Sequence, residues 1–500
     1  MNKNIERVTN HAVENFKNYI IFLCLPLIGI DDEDISAIKQ QSFLMDEIDY
    51  NKAESSGDYF NSLKLLVSND RTVILYKRHL FGNDLYFKIT FNSPIEQDQY
   101  SLLSYLMIAY FKKAPNTAFT VFEKDVRNAI NEIAIQKGLF AYLTSNDKMV
   151  NNRINGLIFA LDKWAQKTYE GRHVCFGFLI DPTPIAKKDK EEPIGGFLDF
   201  IKDEYAATFT DGITSIAKLD SNCDFVEYLS ITNLGDDADY SLKENKVPIR
   251  FAQVITNYVV SNTIGVFLLV NGDILIARNK EIQFIRREKR WLNFSYLTFL
   301  RKIKAKCDEF DTSLSTQLFP TILDISFSHT GGLIAVVDEE NPGWEKDVSD
   351  ERKPIISPLE ILKEEYFEDI DSHLKSLLET EIAKVDLTSE YAKEKHLEDT
   401  KKRLTKKKYL MELLKNNRCF SSMDRRLRAE LSGLDGALII NKKGIIIACG
   451  AIIANKAGSS GGGRGSAAKT LSNYGGFAVK VSTDGYVEIF KNEIKIFTIK

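Results

Sequence analysis

The sequence predicts an α/β protein, and three observations carry that expectation. Short runs rich in β-branched and aromatic residues alternate along the chain with longer stretches of helical periodicity. The run Gly331 to Val337 is glycine-initiated and almost wholly apolar, as a buried strand requires. Dipeptides suited to tight turns, Asn271-Gly272 and Asp484-Gly485, separate neighbouring β-rich runs and so mark hairpins.

At 500 residues, with 44% hydrophobic and 27% charged side chains, the chain can bury the cores of two to four ordinary globular domains. The formal net charge of -4 supplies no whole-chain attraction to nucleic acid or anionic membrane, so such contacts would need a local patch. The six cysteines are scattered and form no C-x-x-C pair, and the six histidines show no metal-finger spacing. They are expected to be reduced thiols of a cytoplasmic protein. The apolar run Tyr19 to Ile30 is broken by Pro26 and too short to cross a bilayer, so no membrane segment is expected.

Residues 1–262 read as an N-terminal α/β or α+β region without a catalytic motif, expected to be a sensor or regulatory part. Arg71 to Tyr76 and Leu85 to Phe91 read as strands around a turn at Gly82-Asn83-Asp84. Leu102 to Lys112 and Val126 to Gln136 read as helices. The acidic run Asp31 to Asp34 suits a solvated helix start better than a calcium loop, because the alternating ligands and the glycine are missing. His173 and Cys175 fall in an expected strand, His173 to Ile180, and are assigned to core packing over metal binding. Residues 263–311 read as a hairpin across Asn271-Gly272, a further strand at Ile282 to Arg286, and an amphipathic helix over Trp291 to Lys304.

Residues 312–500 read as a third part, with helix at Leu318 to Phe327 leading into the Gly331 strand and an inserted helical segment at about 340–420. That insertion opens on a capping box, Ser357-Pro358-Leu359-Glu360, and continues as two charged helices broken near Val385 to Ser389. Its basic cluster, Lys401 to Lys408, is assigned to a solvated helix face rather than nucleic-acid binding, since Glu394, Glu398 and Asp399 stand nearby. A shorter helix over Met423 to Leu431, capped by Ser421 or Ser422, delivers the chain to Asp435. Two hairpins close the sequence, Ala437 to Ile440 with Ile445 to Ala448, and Phe477 to Val481 with Tyr486 to Phe490.

The residues around these hairpins carry the chemistry. Asp435 can hold a divalent ion. The loop Gly458 to Gly465 lets backbone N–H groups approach phosphate, Arg464 presents a planar fork of donors, and Ser466 with the following helix start adds a hydroxyl and a favourable dipole. Lys469 is a further cation, and Asp484 would complete a metal shell if its strand neighbours that of Asp435. The stretch Gly463 to Thr470 approaches a P-loop, but Ala468 replaces the second glycine and too little chain follows for a parallel NTPase sheet.

Taken together, these motifs resemble the diadenylate cyclase domain family, known also from the DNA-integrity-scanning proteins. The resemblance covers roughly Thr312 to Lys500 apart from the insertion. His329-Thr330-Gly331-Gly332-Leu333-Ile334 resembles the family's Thr-Gly-Ala-Leu-Ile strand, and Asp435-Gly436-Ala437 matches its Asp-Gly-Ala motif. Gly463-Arg464-Gly465-Ser466-Ala467-Ala468 is similar to its Gly-x-Arg-His-Arg-Ala-Ala loop, and Val481-Ser482-Thr483-Asp484 to its Val-Ser-Glu-Glu end.

The resemblance implies a mixed-sheet fold and the condensation of two ATP molecules to cyclic di-AMP with release of two pyrophosphates. Two subunits, in a homodimer or higher oligomer, would face each other so that each 3'-hydroxyl attacks the partner's α-phosphate. Asp435 would bind Mg or Mn and help activate the hydroxyl. Gly436 and Ala437 would line the nucleotide, Arg464 with Gly463 and Gly465 would hold the triphosphate, and Asp484 would be the second metal carboxylate. The loop reads Arg-Gly-Ser where the family has Arg-His-Arg. An alternative is therefore a catalytically degenerate nucleotide-binding sensor module; a third is a DNA-linked scaffold using the Lys401 to Lys408 cluster.

Overall fold

The structure, a computed structural model, describes residues 14–30, 35–41, 63–69, 71–80, 83–113, 124–144, 152–169, 172–181, 196–203, 206–231, 246–307, 312–338, 342–348, 365–383, 390–416, 418–454 and 462–499. The fold is mixed α/β, with sheets that combine parallel and antiparallel strands. The chain divides into two compact units, Met1–Ala238 with Gln253–Thr298, and Asp239–Ala252 with Phe299–Lys500.

The first unit begins with an antiparallel four-stranded sheet, β1 (Ile35–Gln41), β2 (Leu63–Asn69), β3 (Thr72–Leu80) and β4 (Asn83–Phe91), in the order β1-β4-β3-β2. Helices α1 (Gln97–Lys113) and α2 (Lys124–Thr144) pack on one another, and α3 (Asn152–Trp164) follows. After the short ribbon β5 (Thr168–Tyr169) and β6 (Arg172–His173) come β7 (Phe176–Ile180), β8 (Ser215–Leu219) and β9 (Phe225–Ser230). Helix α4 (Ala252–Tyr258) leads to β10 (Ile264–Leu268), β11 (Ile274–Arg278), β12 (Glu281–Arg287) and β13 (Arg290–Asn293). These form a seven-stranded sheet, β13-β12-β11-β10-β7-β8-β9, in which only β7 and β8 run parallel. The hairpin set apart in the sequence as a connection is thus built into this sheet.

Several local expectations change. The strand expected over His173 to Ile180 breaks at Val174-Cys175; His173 is exposed and Cys175 half-buried, so neither is the core residue it was taken for. Asn271-Gly272 does not make a primed two-residue turn, because only Gly272 has positive φ and the loop is longer. The hairpin turns with two successive positive φ angles, among the described residues, are Asn279-Lys280, Glu288-Lys289 and Asn492-Glu493. The Glu288-Lys289 turn folds Trp291 back as a strand opposite Arg286, so the helix expected from Trp291 starts only at Tyr296, as α5 (Tyr296–Lys306). Ser295 Oγ accepts the Thr298 amide hydrogen and marks that start. Asp31 to Asp34 and Gly82 lie outside the described residues.

In the second unit α6 (Thr312–Ser328) leads into β14 (Gly332–Val337). The insertion holds α7 (Ile370–Ala383) and α8 (Glu390–Leu414), which pack together; its expected capping box and the break at Val385 to Ser389 lie outside the described residues. Then come α9 (Arg425–Ser432), β15 (Ala437–Asn441), β16 (Ile446–Ala451), α10 (Gly462–Leu471), β17 (Phe477–Val481), β18 (Val487–Lys491) and β19 (Ile494–Ile499). The cap of α9 is Asp424, whose Oδ1 accepts the Arg426 amide hydrogen at 2.9 Å, not Ser421 or Ser422. The sheet order is β16-β15-β14-β17-β18-β19, with β14 parallel to β15 and every other pair antiparallel. The last strand, β19, was not expected from the sequence.

Helices α6 and α9 are held together by a buried ion pair. Arg425 donates from Nε to Asp324 Oδ2 at 2.6 Å and from an Nη to Oδ1 at 2.9 Å, and the Ile249 amide completes the carboxylate at 2.9 Å. Burial pushes the Asp324 carboxyl above the ordinary aspartate value, against the pull of Arg425. Arg428, one turn on and fully buried, bonds Gln317 Oε1 at 2.6 Å and lies over the Phe420 ring; burial, then Arg425, brings its pKa down to about 10. Removing one partner leaves a buried charge without its mate. Arg425→Ala is expected to lose about 3–5 kcal/mol in urea unfolding, and Arg425→Met combined with Asp324→Leu to recover most of it.

Candidate nucleotide site

The strand directions gather the sequence-predicted residues at one end of the six-stranded sheet. Because β14 and β15 are parallel and β17 is antiparallel to β14, three segments meet at the same edge. They are the residues before β14, those before β15, and those after β17. His329 Nδ1 shares a hydrogen bond with the Thr483 carbonyl at 2.9 Å, and the Ser326 hydroxyl donates to the Gly485 carbonyl at 2.5 Å. The turn into β14 is thereby tied to the β17–β18 loop.

Arg464 enters this edge from the first turn of α10, a helix that packs on β14 and β17. Gly331, at φ +67, makes room for it: a Cβ there would collide with the Arg464 guanidinium and stand 3.3 Å from the Thr483 methyl. Ser466, Ala467 and Ala468 are buried, Lys469 is half-buried, and Gly465 is buried at the start. A Cβ at Gly463 would meet nothing within 4 Å, so open space lies beside the helix start. Gly458 to Gly461 lie outside the described residues.

One cation at this helix was missed in the sequence. Lys480, on β17, places Nζ 3.8 Å from where a Cβ on Gly465 would stand. It bonds Glu488 on β18 at 2.8 Å, and Lys495 approaches the same carboxylate at 3.3 Å. No short-range signal marks Lys480: β17 reads Phe-Ala-Val-Lys-Val, an apolar strand with a single charge, and nothing in that run sets the charge beside Gly465. Burial works to raise the Glu488 carboxyl, but Lys480 and Lys495 outweigh it and hold it below the ordinary glutamate value. A lowered carboxylate pKa contributes stability that is present above the ordinary value and lost as pH falls through the folded one. Acid unfolding of Glu488→Gln, followed by circular dichroism, is therefore expected to show a shallower loss of stability below about pH 4.5 than the parent.

Asp435 is exposed in the bend before β15. Gly436 has φ +109, and a Cβ on it would lie 2.5 Å from the Gly450 carbonyl carbon; Ala437 is fully buried. The glycine is thus demanded by backbone against backbone, and the carboxylate's position depends on it. Gly436→Ala is expected to cost roughly 2–4 kcal/mol in denaturant unfolding, as a strained φ adds to the clash.

The two carboxylates do not stand on neighbouring strands. β14 lies between β15 and β17, so Asp435 and Asp484 leave the sheet two strand spacings apart, ~9.5 Å. The condition on which Asp484 joined Asp435 in one metal shell is not met. Among the described residues no cluster of three His, Cys, Asp or Glu side chains could hold a metal. One exposed carboxylate does fit Mg or Mn of the kind that keeps waters and is bound by one or two carboxylates plus substrate phosphates.

Elsewhere, all six cysteines are free, and burial pushes Cys449 up to about 12. In the basic cluster, Lys402 pairs with Glu398 at 2.7 Å, Arg403 with Glu381, and Lys408 with Asp371. No described helix is long and apolar enough to cross a membrane. No protein-family profile, characterised protein or solved structure matches the chain.

Proposed function

We propose that the second unit is a nucleotidyltransferase of the diadenylate cyclase kind, condensing two ATP into cyclic di-AMP or a related cyclic nucleotide, with the first unit in a regulatory role. The observation that carries the reading is the placement of Arg464 against Gly331, at the sheet edge where Asp435 enters β15. The resemblance of Asp435-Gly436-Ala437 and Gly463 to Ala468 to the family's motifs supports it.

In this reading Arg464 and the amides at the start of α10 hold the triphosphate, where helix dipole and guanidinium both favour negative charge. Ser466 and Lys469 lie on the same helix as secondary contacts. Asp435 holds the divalent ion and accepts the proton of the attacking 3'-hydroxyl. The ion, when bound, neutralises phosphate charge. Each 3'-oxygen forms a bond to the α-phosphorus of the facing ATP as that phosphorus releases pyrophosphate, so two chains present their sites to each other. Asp484 is left with a supporting role beside Thr483.

A degenerate binding module is favoured by one specific observation, the pairing of Lys480 with Glu488, which leaves the Arg-Gly-Ser loop without a replacement for the family's second arginine. Full-length protein incubated with ATP and Mn or Mg, with products resolved by chromatography and mass spectrometry, separates the readings. Cyclic di-AMP is expected from the parent, none from Asp435→Asn, and about a hundredfold less from Arg464→Ala. ATP binding without pyrophosphate release would overturn the cyclase and leave the binding module.

A further inference from the structure

The seven-stranded sheet of the first unit repeats the six-stranded sheet of the second. Written in matching order, β9-β8-β7-β10-β11-β12 and β16-β15-β14-β17-β18-β19 have the same connectivity and the same directions, each with one parallel pair, β7 with β8 and β14 with β15. A helix precedes the first strand of each, and another lies between the third and fourth.

The agreement extends to register. Phe176 pairs with Leu268 and Ile180 with Ile264, as Gly332 pairs with Val481 and Val336 with Phe477. Phe178, Leu179 and Ile180 face Ala217, Lys218 and Leu219, as Ile334, Ala335 and Val336 face Leu438, Ile439 and Ile440. The β-bulge between Lys218 and Leu219 falls where the second unit has one between Ile439 and Ile440. The bulge between Ile276 and Ala277 likewise matches that between Ile489 and Phe490. Bulges insert single residues at specified places, so two shared bulges are hard to reach independently.

The loops carry the same hydrogen bonds. Asp220 Oδ1 accepts the amide hydrogens of Asn222 and Asp224 at 2.8 and 3.0 Å, and Asn441 Oδ1 those of Lys443 and Ile445 at 3.0 and 2.8 Å. Cys223, at φ +62, stands where Gly444 stands at φ +79. The Gly272 amide donates to Leu269 and the Gly485 amide to Ser482, both at 2.9 Å and both with the glycine at positive φ. The turns Asn279-Lys280 and Asn492-Glu493 agree in both φ angles to within a degree.

We infer that the first unit is a second copy of the nucleotide fold, overwritten at the site positions so that it takes no nucleotide and each chain holds only one. The closing clause rests on the proposed function of the second unit; the duplication itself does not. In the matched frame His173 keeps the place of His329, but Cys175 stands for Gly331, Thr214 for Asp435, Ser215 for Gly436, Ile216 for Ala437 and Asn271 for Asp484. Counting back through α4 sets Thr256 against Lys469 and Gln253 against Ser466, and, in the turn that leads into α4 and falls in the Asp239–Ala252 segment of the second unit, the buried Phe251 against Arg464. The arginine and the glycine that makes room for it are gone together, which is what loss of a phosphate site requires. A reaction that joins two nucleotides then needs two chains.

Two measurements on the full-length chain test this. Loop transplants put the second unit's residues into the first: Asp220→Asn, Ser221→Lys, Asn222→Lys and Cys223→Gly together, and separately Val270→Thr with Asn271→Asp. Equivalent loops accept each other, so both variants are expected to keep their thermal midpoints within about 3 °C, whereas Asp220→Ala, which orphans two amides, falls further. Collapse of both transplants, or Asp220→Ala behaving like them, overturns the duplication. Photolabelling with an azido-ATP and peptide mapping is expected to mark the second unit only, and Arg464→Ala to lose the label at least tenfold. Labelled peptides from 173–180, 211–219 or 269–273 overturn the silent copy. No label anywhere sinks the proposed function while the transplants still decide the duplication.

Discussion

The ion pair between Asp324 and Arg425 is the interaction on which the arrangement of the second unit depends. It joins α6 to α9, and these are the helices that deliver the chain into β14 and β15, the one parallel pair of the sheet. Parallel neighbours cannot be joined by a tight turn, so something other than a hairpin has to set their starting points side by side. The buried ion pair between the two helices that precede them does that. Gly332 then comes so close to the end of α9 that a Cβ would stand 2.6 Å from the Ser432 carbonyl. Once these starts are fixed, Gly331 and Asp435 sit at one edge, and the antiparallel β17 returns Thr483 to it. The long insertion hangs from the same crossover, which lets the chain between β14 and β15 lengthen without moving either strand.

Much of this was legible in the sequence because it is written in local terms. The apolar run after Gly331, the hairpin of β15 with β16 and that of β17 with β18 follow from composition and turn residues a few positions apart. What failed were features set by contacts. Trp291 has the company of a helix but lies in a strand, since the turn at Glu288-Lys289 adopts two positive φ angles without a glycine to announce it. β19 went unseen for the same reason, its turn being Asn492-Glu493. Asp424 took the cap of α9 over two serines, a choice between neighbours that propensity alone does not make. Lys480 was invisible as a site cation because nothing in its neighbourhood of sequence places it beside Gly465.

The candidate site illustrates the same division. The Asp-Gly-Ala motif and the glycine-arginine loop were found as motifs, yet the separation of Asp435 from Asp484 depends on which strand lies between theirs. Strand order is not a property of any short segment. The repeat between the units was hidden more deeply, for the matched positions keep few identities, among them His173 and His329, Val266 and Val479, Gly272 and Gly485, Ile276 and Ile489, Asn279 and Asn492, and Phe284 and Phe497. Residue pairing, bulge position and the sign of φ preserve what side-chain identity has lost, because each is held by the backbone hydrogen bonds of the sheet.

The charge inventory at the sheet edge bears on what this site can accept. Arg464 lies against Gly331, whose lack of a side chain leaves room for it, while Lys480 is shared with Glu488 and Lys469 is only half-buried. A triphosphate brings several negative charges to a helix start worth about half a unit of positive charge. One guanidinium and one dipole cannot balance it, and the family's second arginine is replaced here by Ser466, which is buried and neutral. The remaining compensation has to arrive with the nucleotide, as a divalent ion for which Asp435 is the protein's contribution. On the proposed reading, therefore, the ligand is the metal–nucleotide complex rather than the free nucleotide, and the carboxylate and the arginine act on opposite ends of a single bound species.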